Sequence, residues 1–238
     1  ITTASFAHNV VSTLDFTGTT SLGTSYVQEG NGTTVTFQAV PTLTNLTAIN
    51  SNYGNTSFPA GTTFPALTTL SKTQAGTLDF ANSNLNLTSY TQTAGVVTGS
   101  GTITIPSGGT FNWGGGTLGG TGTLSTPVGA TTNITGATAL ANTRTWNNGG
   151  SVSMVMGGHN SYLDIATGAL LNNLSSGVID LRSATINTGF SGAGTINNAG
   201  ELKKTLNTSV QEVFVSPVFS NQTNGIVTLN SGTLTVNG

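Results

Sequence analysis

The sequence predicts an all-β fold, a single parallel β-helix with coils of about 21 residues. Two observations carry this prediction: apolar residues recur in two series at one spacing, and the composition favours strands and turns over helices. The two series are in phase, which makes coincidence a poor explanation. The first series consists of Phe16, Phe37, Phe58, Phe80, Ile103 and Leu124, and the second of Leu46 with Ile49, Leu67 with Leu70, and Leu87 with Tyr90.

Short strings around the first series predict the strands. In TLDF, Leu14 and Phe16 point to one side and Asp15 to the other, because side chains alternate along a strand. GTLDF and GTITI repeat this pattern, and a glycine usually precedes the string, where a corner needs a residue that tolerates positive φ. These glycines are Gly32, Gly54, Gly76, Gly99 and Gly120.

Coil length varies by a residue or two, which favours a right-handed helix over a left-handed one with a strict hexapeptide period. The one hexapeptide echo is FPAGTT followed by FPALTT, beginning at Phe58 and Phe64. We expect about eleven coils in a rod roughly 50 Å long.

Two neighbouring coils align residue by residue around IPSGGTFNW and TPVGATTNI. Asn112 falls above Asn133 in this alignment, and Trp113 above Ile134. Stacked asparagines donate hydrogen bonds to each other along the stacking axis. The alignment therefore predicts an amide ladder that stabilises the coils and does not bind a ligand.

The chain is interpreted as one domain, 1–238, with regular coils over 1–135 and less regular coils with loops over 136–238. Residues 147–150 and 157–160 are predicted loops, with Met154 and Met156 on a short strand between them. The final GIVTLNSGTLTVNG has no polar cap, whereas solenoids normally end in capping repeats. We expect either a longer chain or an end covered by another molecule.

Composition excludes several functions. With 5% charged residues, five Lys plus Arg and a net charge of −2, the chain has no basic stripe for nucleic acid or for a polybasic membrane contact. No apolar run approaches the ~18 residues of a membrane span, so no membrane insertion is predicted. The absence of cysteine excludes disulfides, thiolate zinc sites and cysteine nucleophiles.

The charged residues do not predict a catalytic site. Asp15 and Asp79 fall in one column but three coils apart, roughly 14 Å, beyond the ~5–9.5 Å of a glycosidase pair. His8 and His159 are far apart, so no metal site is predicted. The string GGGTLGGTG lacks the Lys-Ser/Thr ending of a phosphate loop. The sequence thus predicts no catalytic residue, no cofactor and no enzyme.

One region is the candidate ligand-binding site. It combines outward aspartates with an arginine and with aromatic side chains that could stack on a sugar. Packing and ion pairing are the alternative explanations. The candidate residues are Trp146, Tyr162, Asp164, Asp180 and Arg182.

Ice binding is a minor alternative. It requires Thr-x-Thr pairs in a regular flat array, and Thr102 with Thr104 makes one such pair. In the predicted register Thr121, Thr123 and Asp79 break the array.

The strings SGAGTINNAGELKKTL and VFSNQTNGIVTLNSGTLTVNG, within 191–238, resemble the repeats of bacterial cell-surface β-solenoids such as autotransporter passenger domains and filamentous haemagglutinin-type adhesins. GSGTITIPSGGTFNWGGGTL resembles them more loosely. The resemblance implies an extracellular, non-catalytic protein of adhesion or surface structure. The chain departs from it in being short and almost uncharged, which leaves a self-assembling fibre subunit open beside a stalk segment.

The expected function is therefore structural or adhesive. The expected partners are further copies of the chain, flanking repeats of a longer chain, or a surface polysaccharide. A carbohydrate-binding or carbohydrate-cleaving β-helix is the alternative.

Overall fold

A computed structural model describes residues 5–155, 162–182, 188–205, 212–230 and 232–237. These residues form 29 short strands, numbered β1 to β29 along the chain, and contain no helix. All paired strands are parallel, and each strand pairs with the corresponding strand of the next coil. The predicted all-β solenoid is confirmed, with roughly 22 residues per turn.

Sheet 1 runs along the whole described solenoid. Its eleven strands, in spatial order, are β1 (Ser5–His8), β3 (Ser25–Gln28), β5 (Ala48–Ser51), β7 (Thr69–Lys72), β10 (Ser89–Gln92), β13 (Thr110–Trp113), β16 (Thr131–Ile134), β19 (Ser151–Met154), β22 (Val178–Leu181), β25 (Glu201–Lys204) and β28 (Ile226–Leu229).

Sheet 2 forms the second side, also with eleven strands. They are β2 (Thr13–Phe16), β4 (Thr34–Phe37), β6 (Asn55–Ser57), β8 (Thr77–Asp79), β11 (Val96–Thr98), β14 (Gly116–Leu118), β17 (Thr138–Leu140), β20 (Tyr162–Ile165), β23 (Thr188–Ser191), β26 (Glu212–Val215) and β29 (Thr233–Val236).

Sheet 3 closes the third side only from the fourth coil onward. Its seven strands are β9 (Leu85–Asn86), β12 (Thr102–Thr104), β15 (Thr123–Thr126), β18 (Thr145–Asn148), β21 (Leu170–Asn173), β24 (Thr195–Asn198) and β27 (Val218–Asn221). Before β9 this side consists of turns and a single bridge between Ser21 and Thr42. Pro41, Pro59 and Pro65 lie in these turns, and proline cannot donate to a strand ladder.

The second half keeps its stacking, and its coils become longer. Phe16 pairs with Phe37, 21 residues on, whereas Asn148 pairs with Asn173, 25 residues on. The predicted loop at 147–150 is wrong in part, because residues 147 and 148 belong to β18 and a corner follows them. Met154 lies on β19 as predicted; Met156 and the predicted loop 157–160 lie outside the described residues.

A ladder of phenylalanine rings fills the first coils. Phe16, Phe37, Phe58 and Phe80 stack with centroid distances of 4.9, 5.0 and 5.6 Å and interplanar angles of 9°, 8° and 11°. Each ring is at most 7% exposed. The first four members of the predicted series are therefore one column of the core.

The prediction that Ile103 and Leu124 continue this column is wrong. On sheet 3, Ile103 pairs with Leu85 and with Leu124. Asp79 pairs with Thr98 on sheet 2, so Gly99 is the residue of the next coil that follows Phe80 in this column. The prediction failed because strands on all three sides show the same alternation of inward and outward residues and follow similar glycine corners. Spacing in the sequence alone therefore does not tell which side a strand belongs to.

The other two predicted alignments are confirmed. Ile49 pairs with Leu70, and Leu70 with Tyr90, on sheet 1, and all three are buried. Asn112 pairs with Asn133, and Nδ2 of Asn133 donates to Oδ1 of Asn112 at 2.9 Å. Because this pair is exposed, water competes with the bond and it adds less stability than a buried one would.

Replacing a ring inside the phenylalanine ladder should destabilise the fold strongly. Phe37→Ala empties a site between two stacked rings, and we expect a loss of about 3–5 kcal/mol in the free energy of unfolding. Val40→Ala, at a side chain 47% exposed, is the control and should change it by less than about 0.5 kcal/mol. Urea unfolding followed by circular dichroism measures both; equal effects would contradict the ladder's role.

Candidate functional site

The structure separates the five residues predicted to bind a ligand. Trp146 is fully buried, and its Nε1 donates to Oγ1 of Thr126 at 2.9 Å. Its ring packs edge-on against Trp113 with 6.2 Å between centroids. The prediction that Trp146 contacts a ligand is therefore corrected: it is the inward residue of β18 and packs in the core.

The two aspartates do not form one acidic site. Asp164 lies on β20 in sheet 2 and Asp180 on β22 in sheet 1, so they face different sides of the solenoid. The hydroxyl of Thr205 donates to the Asp180 carboxylate, with Oγ1 2.7 and 2.9 Å from its two oxygens, and Asp180 lies 3.9 Å from Nε of Arg182. The Arg182 side chain is 44% exposed, so this ion pair contributes little stability.

Tyr162 and Asp164 remain together and line a groove of about 320 Å³ on the outer face of sheet 2. Asp164 pairs with Ala139 on one side and with Ser191 on the other. Oγ of Ser191 donates to Oδ1 of Asp164 at 3.1 Å. The other lining residues are small: Gly116, Thr117, Ala137, Thr138 and Ala139. Two of the five predicted residues therefore line one groove, together with Ser191, which the sequence did not suggest.

A second depression of about 360 Å³ lies where sheet 3 begins. The hexapeptide echo forms one wall with residues 61–65, and residues 82–84 form the other. Phe64 is only 6% exposed, and its ring packs edge-on against Phe58 and Phe80. The described lining carries no charged side chain.

A buried amide ladder, which was not predicted from the sequence, links the later coils. Asn148 donates to Asn173, Asn173 to Asn198, and Asn198 to Asn221, with Nδ2 to Oδ1 distances of 2.8, 2.7 and 2.7 Å. Thr126 precedes the asparagines in this ladder, and its Oγ1 donates to Oδ1 of Asn148 at 2.9 Å. The sequence did contain a sign of this ladder. The strings WNNGG, LNNLSSG and INNAG each hold two successive asparagines, and the asparagine pairs recur every 25 residues.

The second member of each asparagine pair points inward and the first points outward. The outer ladder runs the opposite way: Asn197 donates to Asn172 at 3.0 Å, and Asn172 to Asn147 at 2.9 Å. In the inner ladder, Asn173 and Asn198 also donate to backbone carbonyls at 3.1 Å each. These carbonyls fix the orientation of the inner amides, since only an N–H can satisfy them.

Lys72 is a buried cation without a carboxylate partner among the described residues. It is 0% exposed, and its Nζ donates to the carbonyls of Asn52, Gln74 and Ala75 at 3.0, 2.8 and 3.0 Å. Burial lowers its pKa to about 8. The ammonium uses its three donors on the corner between sheets 1 and 2, which is a structural role.

Arg144 performs a similar task at the corner between sheets 2 and 3. It is 1% exposed; Nε donates to the carbonyl of Gly119 at 2.5 Å and Nη2 to that of Gly99 at 2.7 Å. These carbonyls belong to the two preceding coils, so one side chain joins three coils. Burial lowers the pKa of Arg144, and the nearby phenol of Tyr90 opposes that shift.

The threonine array differs from the predicted one. Thr102 pairs with Thr123, and Thr123 with Thr145, in one outward column of sheet 3, while Thr104 pairs with Ser125. Thr121 is not part of the column, and Asp79 lies on sheet 2. The column is interrupted at Leu170, which pairs with Thr145.

The described part of the chain places no group of three or more His, Asp or Glu that could hold a metal ion. His8 bonds Ser12 through Nε2 at 2.9 Å, and His159 lies outside the described residues. The described residues include no helix that is long and apolar enough to cross a membrane.

Comparisons with protein-family models, curated proteins and solved structures give no match to this chain. The resemblance to surface adhesins therefore stays a prediction from the repeat strings.

The inner asparagine ladder should contribute more to the stability of the fold than the outer ladder does. Asn173→Ala removes the acceptor of the Asn148 amide, the donor to the Asn198 amide oxygen and the donor to the carbonyl of Glu201, and we expect a loss of about 2–4 kcal/mol in the free energy of unfolding. Asn172→Ala is the matched control and should cost less than about 1 kcal/mol, because water replaces an outward amide. Chemical unfolding of both variants measures this, and equal losses would contradict it.

Stability should rise with pH between about 8 and 10 and fall above about 10. Lys72 loses its proton near pH 8 in the folded chain but near 10.5 when unfolded, so the unfolded state binds more protons in this window. Burial lowers the pKa of Lys204 too, which adds in the same direction. Burial raises the pKa of Tyr26 and Tyr90, so above pH 10 the unfolded phenols ionise first and the sign reverses.

Lys72→Gln isolates the lysine contribution. Gln28 and Gln92 occupy the same position in other coils, so glutamine fits this column. The variant should lose much of the rise between pH 8 and 10, on the order of 1–3 kcal/mol, and keep the fall above pH 10. Denaturant titrations across pH measure this; an unchanged rise would refute the assignment.

Proposed function

We propose that this protein is a non-catalytic, extracellular β-solenoid with a structural or adhesive role. One observation carries the proposal: polar groups inside the solenoid bond neighbouring coils. The amides of Asn148, Asn173 and Asn198 donate to the next coil along the axis, and Lys72 and Arg144 donate to corner carbonyls of preceding coils. Groups that are committed to neighbouring coils serve rigidity and not chemistry.

A rod held in this way suits a spacer that presents a surface at a distance. Eleven coils at about 4.8 Å per coil give a length of roughly 50 Å. Bonds along the axis resist bending and stretching, because deformation must break many of them together. This supports a stalk segment, or a subunit that stacks on further copies.

The extracellular assignment rests on sequence. The composition is rich in Thr, Asn and Gly, and the later coils resemble surface-adhesin repeats. The proposed partners are further copies of the chain, flanking repeats, or a surface polysaccharide.

Carbohydrate binding is the second candidate function, and the groove at Tyr162 and Asp164 favours it. The cleaving version loses support, because the Asp164 and Asp180 carboxylates face different sides of the solenoid. Most glycoside hydrolases use two carboxyl groups roughly 5–9.5 Å apart.

Electron microscopy of the purified chain tests the proposal. We expect rigid rods roughly 50 Å long, either dispersed or stacked end to end. Globular or flexible particles would contradict a structural role. A concentration series separates the versions: rods that stay single at high concentration exclude the fibre subunit and leave the stalk.

Cleavage of polysaccharides by the same preparation would contradict the non-catalytic assignment. An Asp164→Asn variant is the control, because loss of cleavage in it would locate the chemistry at the groove. Surface labelling of intact source cells tests the location.

A further inference from the structure

We propose that the groove at Tyr162 and Asp164 binds a saccharide that carries no acidic group, with the sugar ring against Tyr162 and its hydroxyls on the Asp164 carboxylate. The inference rests on the adhesive part of the proposed function and names its ligand class.

The strand register places small side chains on the floor of the groove, here called the shelf, and the larger Tyr162 and Asp164 along one side of it. Asp164 pairs with Ala139, which pairs with Thr117 in the coil before. Leu163 pairs with Thr138, so Ala137 is the axial neighbour of Tyr162. Small side chains thus occupy two successive coils, a shelf about 10 Å wide, and Tyr162 and Asp164 stand at its edge.

The size fits a short saccharide. A volume of about 320 Å³ lies at the lower end of the roughly 300–1,000 Å³ of ligand pockets, which leaves room for one or two sugar rings. The groove is open on the outer face of sheet 2, so a longer polymer could pass through without a chain end.

The polar groups suit hydroxyl donors. The Asp164 carboxylate accepts one bond from Ser191, at 3.1 Å, and two oxygens together offer about four acceptor positions. Adjacent sugar hydroxyls can donate to the remaining positions. The hydroxyls of Ser191 and Thr117 add groups that both donate and accept.

Tyr162 supplies the apolar contact. Its side chain is partly exposed, and it lines the groove beside Ala137 and Ala139. One face of a sugar ring carries mainly C–H groups, which pack on an aromatic ring, while the phenolic O–H stays available to a hydroxyl.

Charge predicts which saccharides are excluded. Asp164 is the charged side chain in the described lining, and no Lys or Arg lines the groove. A uronic or sialic acid would place a second negative charge near this carboxylate, which is unfavourable. Neutral sugars should therefore bind and acidic ones should not.

The other depression lacks these features. Phe64 is almost entirely buried there, and the Oδ1 atoms of Asn82 and Asn84 already accept backbone N–H groups of Gly61 and Thr102 at 3.0 and 2.8 Å. It exposes no aromatic face and has no carboxylate, so it serves as the comparison site.

Saturation-transfer NMR and calorimetry on the full chain test the proposal. The probes are neutral oligomers of glucose, galactose, mannose and N-acetylglucosamine, with uronic-acid oligomers of matched length. Binding of at least one neutral oligomer and of no acidic oligomer is expected. Tyr162→Ala should weaken binding by about 10-fold or more, and Ala139→Leu, which fills the shelf from outside, should block it.

Asp164→Asn separates binding from structure. It keeps the shape, and we expect about 10-fold weaker binding of the neutral oligomer, together with a smaller difference between neutral and acidic oligomers. Asp180→Asn, on sheet 1, and Asn84→Ala, in the other depression, are controls and should bind as the wild type does.

Four results would each overturn the inference: no neutral oligomer binds, acidic oligomers bind equally well, Tyr162→Ala and Ala139→Leu bind normally, or Asn84→Ala abolishes binding. None of these affects the structural role, which is tested by the shape of the rods. Conversely, flexible particles with normal sugar binding would refute the structural role and leave the groove assignment intact.

Discussion

Stacking of each coil on the next is the constraint on which the rest of this structure depends. A coil of about 22 residues is too short to bury its own apolar side chains, so its core exists only between neighbours. Every inward position must therefore match the positions above and below it. Phe16, Phe37 and Phe58 meet this requirement by ring stacking, and Asn148, Asn173 and Asn198 meet it by hydrogen bonding.

The corners impose a second requirement, because they turn backbone carbonyls inward where water does not reach. Unpaired buried carbonyls are costly, and the chain satisfies them with long polar side chains. Gln92 donates to the carbonyl of Gly95 at 3.3 Å, Lys72 donates to three carbonyls, and Arg144 donates to two. This explains the burial of Lys72 and Arg144, two of the three buried Lys and Arg residues in the described part of an almost uncharged chain.

Outward residues are free of this requirement, so binding can evolve on the outer face without disturbing the core. The groove forms because the outward side chains are small in two successive coils, at Thr117 and Ala139, whereas the next coil carries the large side chain of Tyr162. Rigidity from the interior then holds the groove in one shape, which lowers the entropic cost of binding a ligand.

The sequence by itself determined the architecture, because strand alternation and a repeat of about 21 residues leave few folds in which all inward residues are buried. It also determined local pairs such as Asn112 with Asn133, where two neighbouring strings align without a gap. What it could not determine is which of three similar sides a strand occupies. The segments that connect the three sides differ in length from coil to coil, so only stacking against the neighbouring coils sets which side a strand occupies. This is why Ile103 and Leu124 lie on sheet 3 and why Trp146 faces inward. For the same reason the tertiary structure alone placed Asp164 and Asp180 on different sides, and joined Tyr162, Asp164 and Ser191 across coils.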